Sequence, residues 1–345
     1  MVARIIYSPT HRRHDPAGEF VGDGLYPYSD APARAEAILH ALQLGGYKEI
    51  LSPRSYPPEL LQAVHDLNYL NYLEKIYPAW REAGRPQTGV IPETFALRTL
   101  HTCPTQLLRQ SGYYCFDAQT PIVEHTYVAA IEAAGCALSG ADLLREGHPS
   151  VYALCRPPGH HAGHSLYGGY CYLNNAAIAA SHLSQEARVA LVDIDYHHGN
   201  GTQDIFYNSD QVLFISIHAD PNRAYPFYCG YPEEQGAGAG CGFNHNFPLP
   251  PRVDDALYLQ VLDKALEIVQ NFAPDYLVVS AGVDIYVDDP LGDFDFSLEG
   301  FTTIGRQLSA LDLPTLLVQE GGYNTQQIGQ AILNLLDSFR HENTA

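Results

Sequence analysis

Six short runs in this chain are apolar with little alternation: ARIIYS (3–8), VYALC (151–155), VALVDID (189–195), VLFISIH (212–218), YLVVSAG (276–282) and TLLVQEGG (315–322). A strand with one wet face alternates polar and apolar side chains. Runs that do not alternate read as strands covered on both faces, as in a parallel sheet. Helical spacing fills the intervals at 33–44, 58–76, 125–146, 172–184, 254–271, 298–311 and 325–339. Strand and helix alternating over 345 residues predict an α/β fold, a single domain with a central, mostly parallel sheet flanked by helices. Hydrophobic residues make up 46% of the chain, enough to fill a large core on both sides of such a sheet.

Two segments break the pattern. Residues 81–122 carry four prolines, mixed polarity and no period. A loop that long in a compact domain serves a function or an interface. Residues 219–250 are rich in Gly, Pro and aromatics and are expected to build a pocket rim.

The formal net charge of −20 argues against nonspecific nucleic-acid binding, which needs a cationic surface. It suits either a cationic substrate or plain solubility. Seven cysteines with no CxxC pair point to a reduced, cytoplasmic protein rather than a disulfide scaffold. The first residues lack a signal-peptide apolar core, and no apolar run approaches ~18 residues, so no membrane partner is expected.

In parallel α/β sheets, ligands bind beyond the carboxyl ends of the strands. Four of the runs lead into polar clusters there: RPPGHHAGH (156–164), DYHHGNGTQD (195–204), GVDIYVDDP (282–290) and EGGYN (320–324). Residues two apart on a strand share a face, so Asp193, Asp195 and His197 fall on one side if the extended geometry continues. Asp195 and His197 can hold one cation, with Asp284 as the third ligand. Two Asp and one His leave coordination positions open, which suits a catalytic Zn²⁺ first and Fe²⁺ second. His160 and His161 follow a stiff Pro-Pro-Gly turn and supply a base beside that metal. Tyr323, after two glycines, offers a hydroxyl to a developing oxyanion. The chemistry expected is metal-assisted hydrolysis of an acyl bond, with the metal lowering the pKa of its water to roughly 7.

Taken together, RPPGHHAGH, GGYCYLNNAA (168–177), VDIDYHHGNGTQDIFY (192–207), SAGVD (280–284) and EGGY (320–323) resemble the histone deacetylase superfamily. The long 81–122 segment and GYYC (112–115) are more similar to its bacterial acetylpolyamine amidohydrolase branch. The resemblance implies the arginase–deacetylase fold and Zn²⁺ on Asp195, His197 and Asp284. It implies His161 as general base and acid, His160 as an electrostatic partner directed to Asp193, and Tyr323 on the acyl oxygen. It further implies a structural K⁺ held by Asp193, Ser216 and the carbonyls of Asp195, His197 and Ile217. A second K⁺ would use carbonyls near Phe206, Ser209, Val212 and Phe243. Tunnel walls would be Gly169, Tyr170, Tyr225 and Leu291, and the long loop would pack across a homodimer interface.

Asn200 stands where many family members carry Asp behind the second histidine, so His161 should be less basic here. The polyamine branch places acidic side chains just before and after GYYC, where this chain has Leu108 and Gln119, with Asp117 and Glu124 nearby. The expected activity is hydrolysis of acetyl or longer acyl amides of primary amines, either acetylpolyamines or acyl-lysine in a peptide. A strict lysine deacylase is the alternative. A binuclear-Mn²⁺ ureohydrolase on the same fold would need further Asp and His ligands beyond the one three-ligand set found.

Overall fold

The computed structural model describes residues 3–22 and 24–339. Its strands, in chain order, begin with β1 (Arg4–Tyr7) and the hairpin of β2 (Glu19–Val21) and β3 (Gly24–Tyr26). They continue with β4 (Ile50–Leu51), β5 (Ser150–Leu154), β6 (Val189–Asp193) and β7 (Val212–Ala219). The last are β8 (Asn244–Leu249), β9 (Tyr276–Ala281) and β10 (Thr315–Gln319). All but the hairpin form one parallel sheet in the order β4-β1-β5-β10-β9-β6-β7-β8.

The unalternating strands are covered on both faces, as their sequence requires. Along β6, Ala190 and Val192 enter one core, and Val189 and Leu191 enter the other. Helices 32–44, 255–272, 298–309 and 328–337 close the first face. Helices 67–82, 126–145 and 175–184 close the second. The helix Thr126–Arg145 is long and apolar enough to cross a membrane by length and composition alone. Most of it is buried against the sheet, which accounts for its composition.

Several boundaries differ from expectation. The helix placed at 58–76 is two, Glu59–Gln62 and Leu67–Glu82. Asp66 ends the first path and starts the second, because its carboxylate accepts from the backbone N–H of Asn68 and Tyr69. Strand β8 lies inside the segment expected to be a rim, and the hairpin β2–β3 carried no alternating signal. The 81–122 region is largely irregular. Val90 and Ile122 bridge near its two ends, and its GYYC stretch forms one helical turn, Ser111–Tyr114. All seven cysteines are free, in line with their spacing.

Candidate active site

The polar clusters follow β5, β10, β9 and β6, which are four consecutive strands of the sheet. Residues far apart in sequence thus meet at one edge, beyond the carboxyl ends of the strands. The extended geometry of β6 does not run through to His197. It stops at Asp193, because the carboxylates take over the backbone N–H groups: Asp193 Oδ1 accepts from Asp195 N at 3.1 Å, and Asp195 Oδ1 from His197 N at 2.9 Å. His160 lies beside both Asp193 and Asp195, at 3.0 and 3.8 Å. Asp193 turns to His160, while Asp195 and His197 gather with Asp284.

The donor atoms of Asp195, His197 and Asp284 lie within 4.8 Å of one another. His197 Nδ1 is 2.9 Å from Asp284 Oδ2 and 3.3 Å from Asp195 Oδ1. Gly321, at the end of β10, closes the cradle. Its N–H donates to Asp195 Oδ2 at 2.7 Å, and a Cβ there would fall 2.5 Å from an oxygen of each carboxylate. Both carboxylates are fully buried, and their ion-pair partners are histidines. Burial, reinforced by the charge of Asp195, pushes the Asp284 pKa up. Burial works against charge on His197, but hydrogen bonds to Asp195 and Asp284 outweigh it and hold its pKa up at about 9. Two buried carboxylates drawn together around one imidazole make a donor set that suits a divalent cation. The oxygen and nitrogen donors fit a metal such as zinc.

A second trio, His160, Cys171 and Glu320, also brings its donor atoms within 4.8 Å. It is otherwise employed. Glu320 Oε2 accepts from Gly159 N at 2.6 Å and His160 N at 3.1 Å, His160 is bonded to Asp193, and burial drives the Cys171 pKa well up.

The two neighbouring histidines are shifted in opposite directions. Burial opposes protonation of His160, yet Asp195 and Asp193 overcome it and raise the pKa to about 10. Its Nδ1 sits 3.0 Å from Asp193 Oδ2. His161 is pushed well below the ordinary value, by burial first and then by the charges of His160 and His197. Its Nδ1 meets the Asn200 side-chain oxygen at 2.7 Å. The two rings are thus biased in opposite directions, His160 towards its charged form and His161 towards the neutral imidazole that can accept a proton.

His161, His197 and Tyr323 form the floor of a cleft of about 350 Å³, whose walls include Gly169, Tyr170, Tyr225 and Leu291. The four wall residues expected from the sequence are therefore together. Gln119 also lines the cleft, whereas Leu108 packs beside the second core. Asp117 lies behind the wall. One oxygen accepts from Gly169 N at 2.6 Å and the Tyr225 hydroxyl at 2.8 Å. Of the residues expected at K⁺, Asp193 and Ser216 are paired across β6 and β7, and Ser216 Oγ contacts the Nδ1 atoms of His198 and His218. Ile217 follows in β7. Phe206, Ser209 and Val212 lie along the connection from helix 200–206 into β7, and the Phe243 carbonyl accepts from Phe214 N.

Three supporting residues had no assigned role in the sequence reading. Glu320 pins the Gly-His turn through the bonds just described. Asp289 Oδ2 accepts from Tyr323 N at 2.6 Å and Asn324 N at 3.1 Å, fixing the tyrosine. Arg34 lies 4.6 Å from the centre of the Tyr323 ring and donates to the carbonyls of Glu320 and Gly322. Its signal was faint: one arginine inside the apolar helix ARAEAIL. Glu19 and Tyr26 of the β2–β3 hairpin, and Ser29 after it, also line the cleft, and no pattern in the sequence marked them.

Residues 28–339 match the family model of the histone deacetylase domain. The chain belongs to the histone deacetylase family. Within that family it falls in the acetylpolyamine amidohydrolase-like branch. It is 42% identical over 339 residues to acetylpolyamine amidohydrolase 1 of Pseudomonas aeruginosa, covering 97% of this chain and 98% of that one. It is 40% identical over 335 residues to the acetylpolyamine amidohydrolase of Mycoplana ramosa, covering 96% and 98%. The crystal structure of acetylpolyamine aminohydrolase from Burkholderia pseudomallei aligns with a TM-score of 0.93 at 37% identity, covering 98% of each chain. This member of the histone deacetylase family is a deacetylase of the amidohydrolase type, and its fold is the deacetylase fold.

Proposed function

We propose that the chain is a zinc-dependent amidohydrolase that removes an acetyl group from a linear acylated amine, with acetylpolyamines as the leading substrate class. The observation that carries this reading is the convergence of a two-carboxylate, one-imidazole donor set with a neutral His161 and Tyr323 on the floor of one narrow cleft. Asp195, His197 and Asp284 would hold Zn²⁺, which supplies Lewis acidity towards a carbonyl and acidifies water. His161 accepts the water proton at Nε2, since its Nδ1–H is committed to Asn200. It then returns a proton to the departing amine nitrogen as the C–N bond breaks. His160, hydrogen-bonded to Asp193, supports His161 and offsets negative charge developing beside it. The Tyr323 hydroxyl donates to the acyl oxygen, where a fixed donor is worth most in the transition state. The products are a carboxylate and a free amine. The names of the relatives favour polyamine amides over acyl-lysine peptides.

The test is kcat/KM of the zinc-loaded protein on N-acetylputrescine, N-acetylspermidine and acetyl-lysine peptides side by side. Polyamine preference is expected, and activity confined to peptides would replace it with the lysine-deacylase reading. Tyr323→Phe should lower the rate by roughly 10²–10³ with zinc content unchanged. We assign K⁺ to Asp193 and Ser216 as part of the same reading. We also propose a homodimer through the 81–122 segment, where Leu97 and Leu100 are exposed. A monomer in sedimentation at micromolar concentration would remove that assignment.

A further inference from the structure

Two walls of the cleft come from distant parts of the chain, and one side chain joins them from behind. Gly169 and Tyr170 form a turn closed by Gly168 and Cys171, and Tyr225 belongs to the loop that follows β7. Both walls touch His161. A Cβ on Gly169 would strike the His161 ring, and the Tyr225 ring stands edge-on to it with 5.1 Å between centres. Asp117 Oδ2 accepts from Gly169 N at 2.6 Å and from the Tyr225 hydroxyl at 2.8 Å, so a single oxygen serves both walls. The other oxygen accepts from Gln119 N at 3.0 Å.

The two walls are held unequally. The Gly169 side is tied along residues 114–120 by a run of hydrogen bonds. Tyr167 N donates to the Tyr114 carbonyl at 2.8 Å, and Phe116 N to the Tyr167 carbonyl at 3.2 Å. Gly169 N reaches Asp117, and Tyr170 N reaches Thr120 Oγ1 at 3.0 Å. This wall needs such support. Gly169 and Tyr170 have φ of +55° and +66°, and a tyrosine is strained in that region. Tyr225 is joined to the same segment by one hydrogen bond among the described residues, from its hydroxyl to Asp117. Beyond that, the Phe116 ring stacks on it with 6.0 Å between centres. A stacked pair can slide, whereas a hydrogen bond fixes both distance and direction. The width of the slot between the Gly169–Tyr170 turn and Tyr225 therefore depends on the Asp117–Tyr225 bond.

We propose that Asp117 is a positioning residue that sets the bore of the cleft. By holding Tyr225 to the Gly169–Tyr170 wall, it restricts the substrate to amides whose nitrogen-bearing carbon has no branch. With the acyl oxygen at Tyr323 on the floor, that carbon is the first part of the amine to pass between these walls. This inference rests on the amidohydrolase reading and refines its substrate class.

The experiment measures kcat/KM of the zinc-loaded protein on N-acetylputrescine and on its analogue bearing one methyl group at the carbon next to the amide nitrogen. Both carry the same free ammonium, so a charge effect of Asp117 cancels in their ratio. One methyl group too many in a packed site predicts a wild-type preference of about 10- to 100-fold for the unbranched amide. Tyr225→Phe removes only the hydroxyl, and Asp117→Asn weakens the acceptor. Each should cut the preference about tenfold, the effect of losing one hydrogen bond to a charged group. The double variant should go no lower than Asp117→Asn alone, because both changes break the same bond. No preference in the wild type, an unchanged preference in Tyr225→Phe, or effects that multiply in the double variant would each overturn the proposal. If Asp117→Asn does not fold, Tyr225→Phe alone decides. If the wild type hydrolyses neither amide, the amidohydrolase reading fails, and amide hydrogen exchange decides the role of Asp117 by itself. The Phe227 N–H donates to the Ala224 carbonyl at 3.1 Å across Tyr225. It should exchange at least about fivefold faster in Tyr225→Phe, as the loop opens more readily. Equal exchange in variant and wild type overturns the proposal.

Discussion

The Nδ1–H of His161 donates to the side-chain oxygen of Asn200 at 2.7 Å, and the Asn200 amide points back at the His161 carbonyl at 3.4 Å. The ring is thereby oriented by a neutral partner, with Nε2 left free towards the cleft. An aspartate in this place would stabilise the imidazolium. Asn200→Asp should therefore raise the pKa of His161 and move the acid limb of the kcat/KM–pH profile upward by about one pH unit. An acid limb that stays in place would show that another group governs it.

Gly321 tests the metal cradle without replacing a ligand. An added Cβ would sit 2.5 Å from oxygens of both Asp195 and Asp284, and the carboxylates would have to part. Gly321→Ala should weaken metal binding at least tenfold, a loss of the size seen when the support of metal ligands is disturbed. Metal content by elemental analysis after dialysis, with circular dichroism to check the fold, is the measurement. Full metal retention would move the proposed site away from this cradle.

His65 gives a prediction about acid stability. It is buried, with Nε2 2.9 Å from Asn174 N and Nδ1 2.9 Å from the Gly163 carbonyl. A backbone N–H can only donate, so Nε2 must accept, and the ring is held neutral. Burial, then the charge of His164, lowers its pKa from 6.5 to about 4. The unfolded chain takes up a proton near 6.5 that the folded chain resists until about 4. Stability contributed here is intact above the first value and is lost as pH falls through this window. In His65→Gln, unfolding free energy should fall less steeply between those limits, by up to roughly 1.4 kcal/mol per pH unit. Parallel curves for variant and wild type would refute this.

The sheet and the gathering of polar side chains at its edge were legible in the sequence for the same reason. Strands buried on both faces carry unbroken apolar runs, and Asp or His directly after such a run has few structural uses. That is why Asp195, His197, Asp284, His161 and Tyr323 could be named from their positions. The end of β6 was misjudged, because carboxylates that bond to nearby backbone N–H groups break a strand without any Gly or Pro to mark the place. Asp289 and Arg34 were missed because each acts through a contact distant in sequence, and no local spacing records such a partner. The β2–β3 hairpin is too short to display a period.

The order of strands has a bearing on how the site comes into being. β5, β10, β9 and β6 lie side by side, yet the chain makes β6 before β9 and β10 last of all, so the middle of the sheet waits for its final strand. Until β10 is inserted, β5 and β9 have no common neighbour, Gly321 is not behind the two aspartates, and Tyr323 is not opposite His161. No fragment ending before β10 can hold a half-working version of the pocket. Long-range closure of this kind makes for slow, cooperative assembly. It also ties competence to completion: during synthesis the chain acquires its reactive edge only when the last strand of its sheet is made.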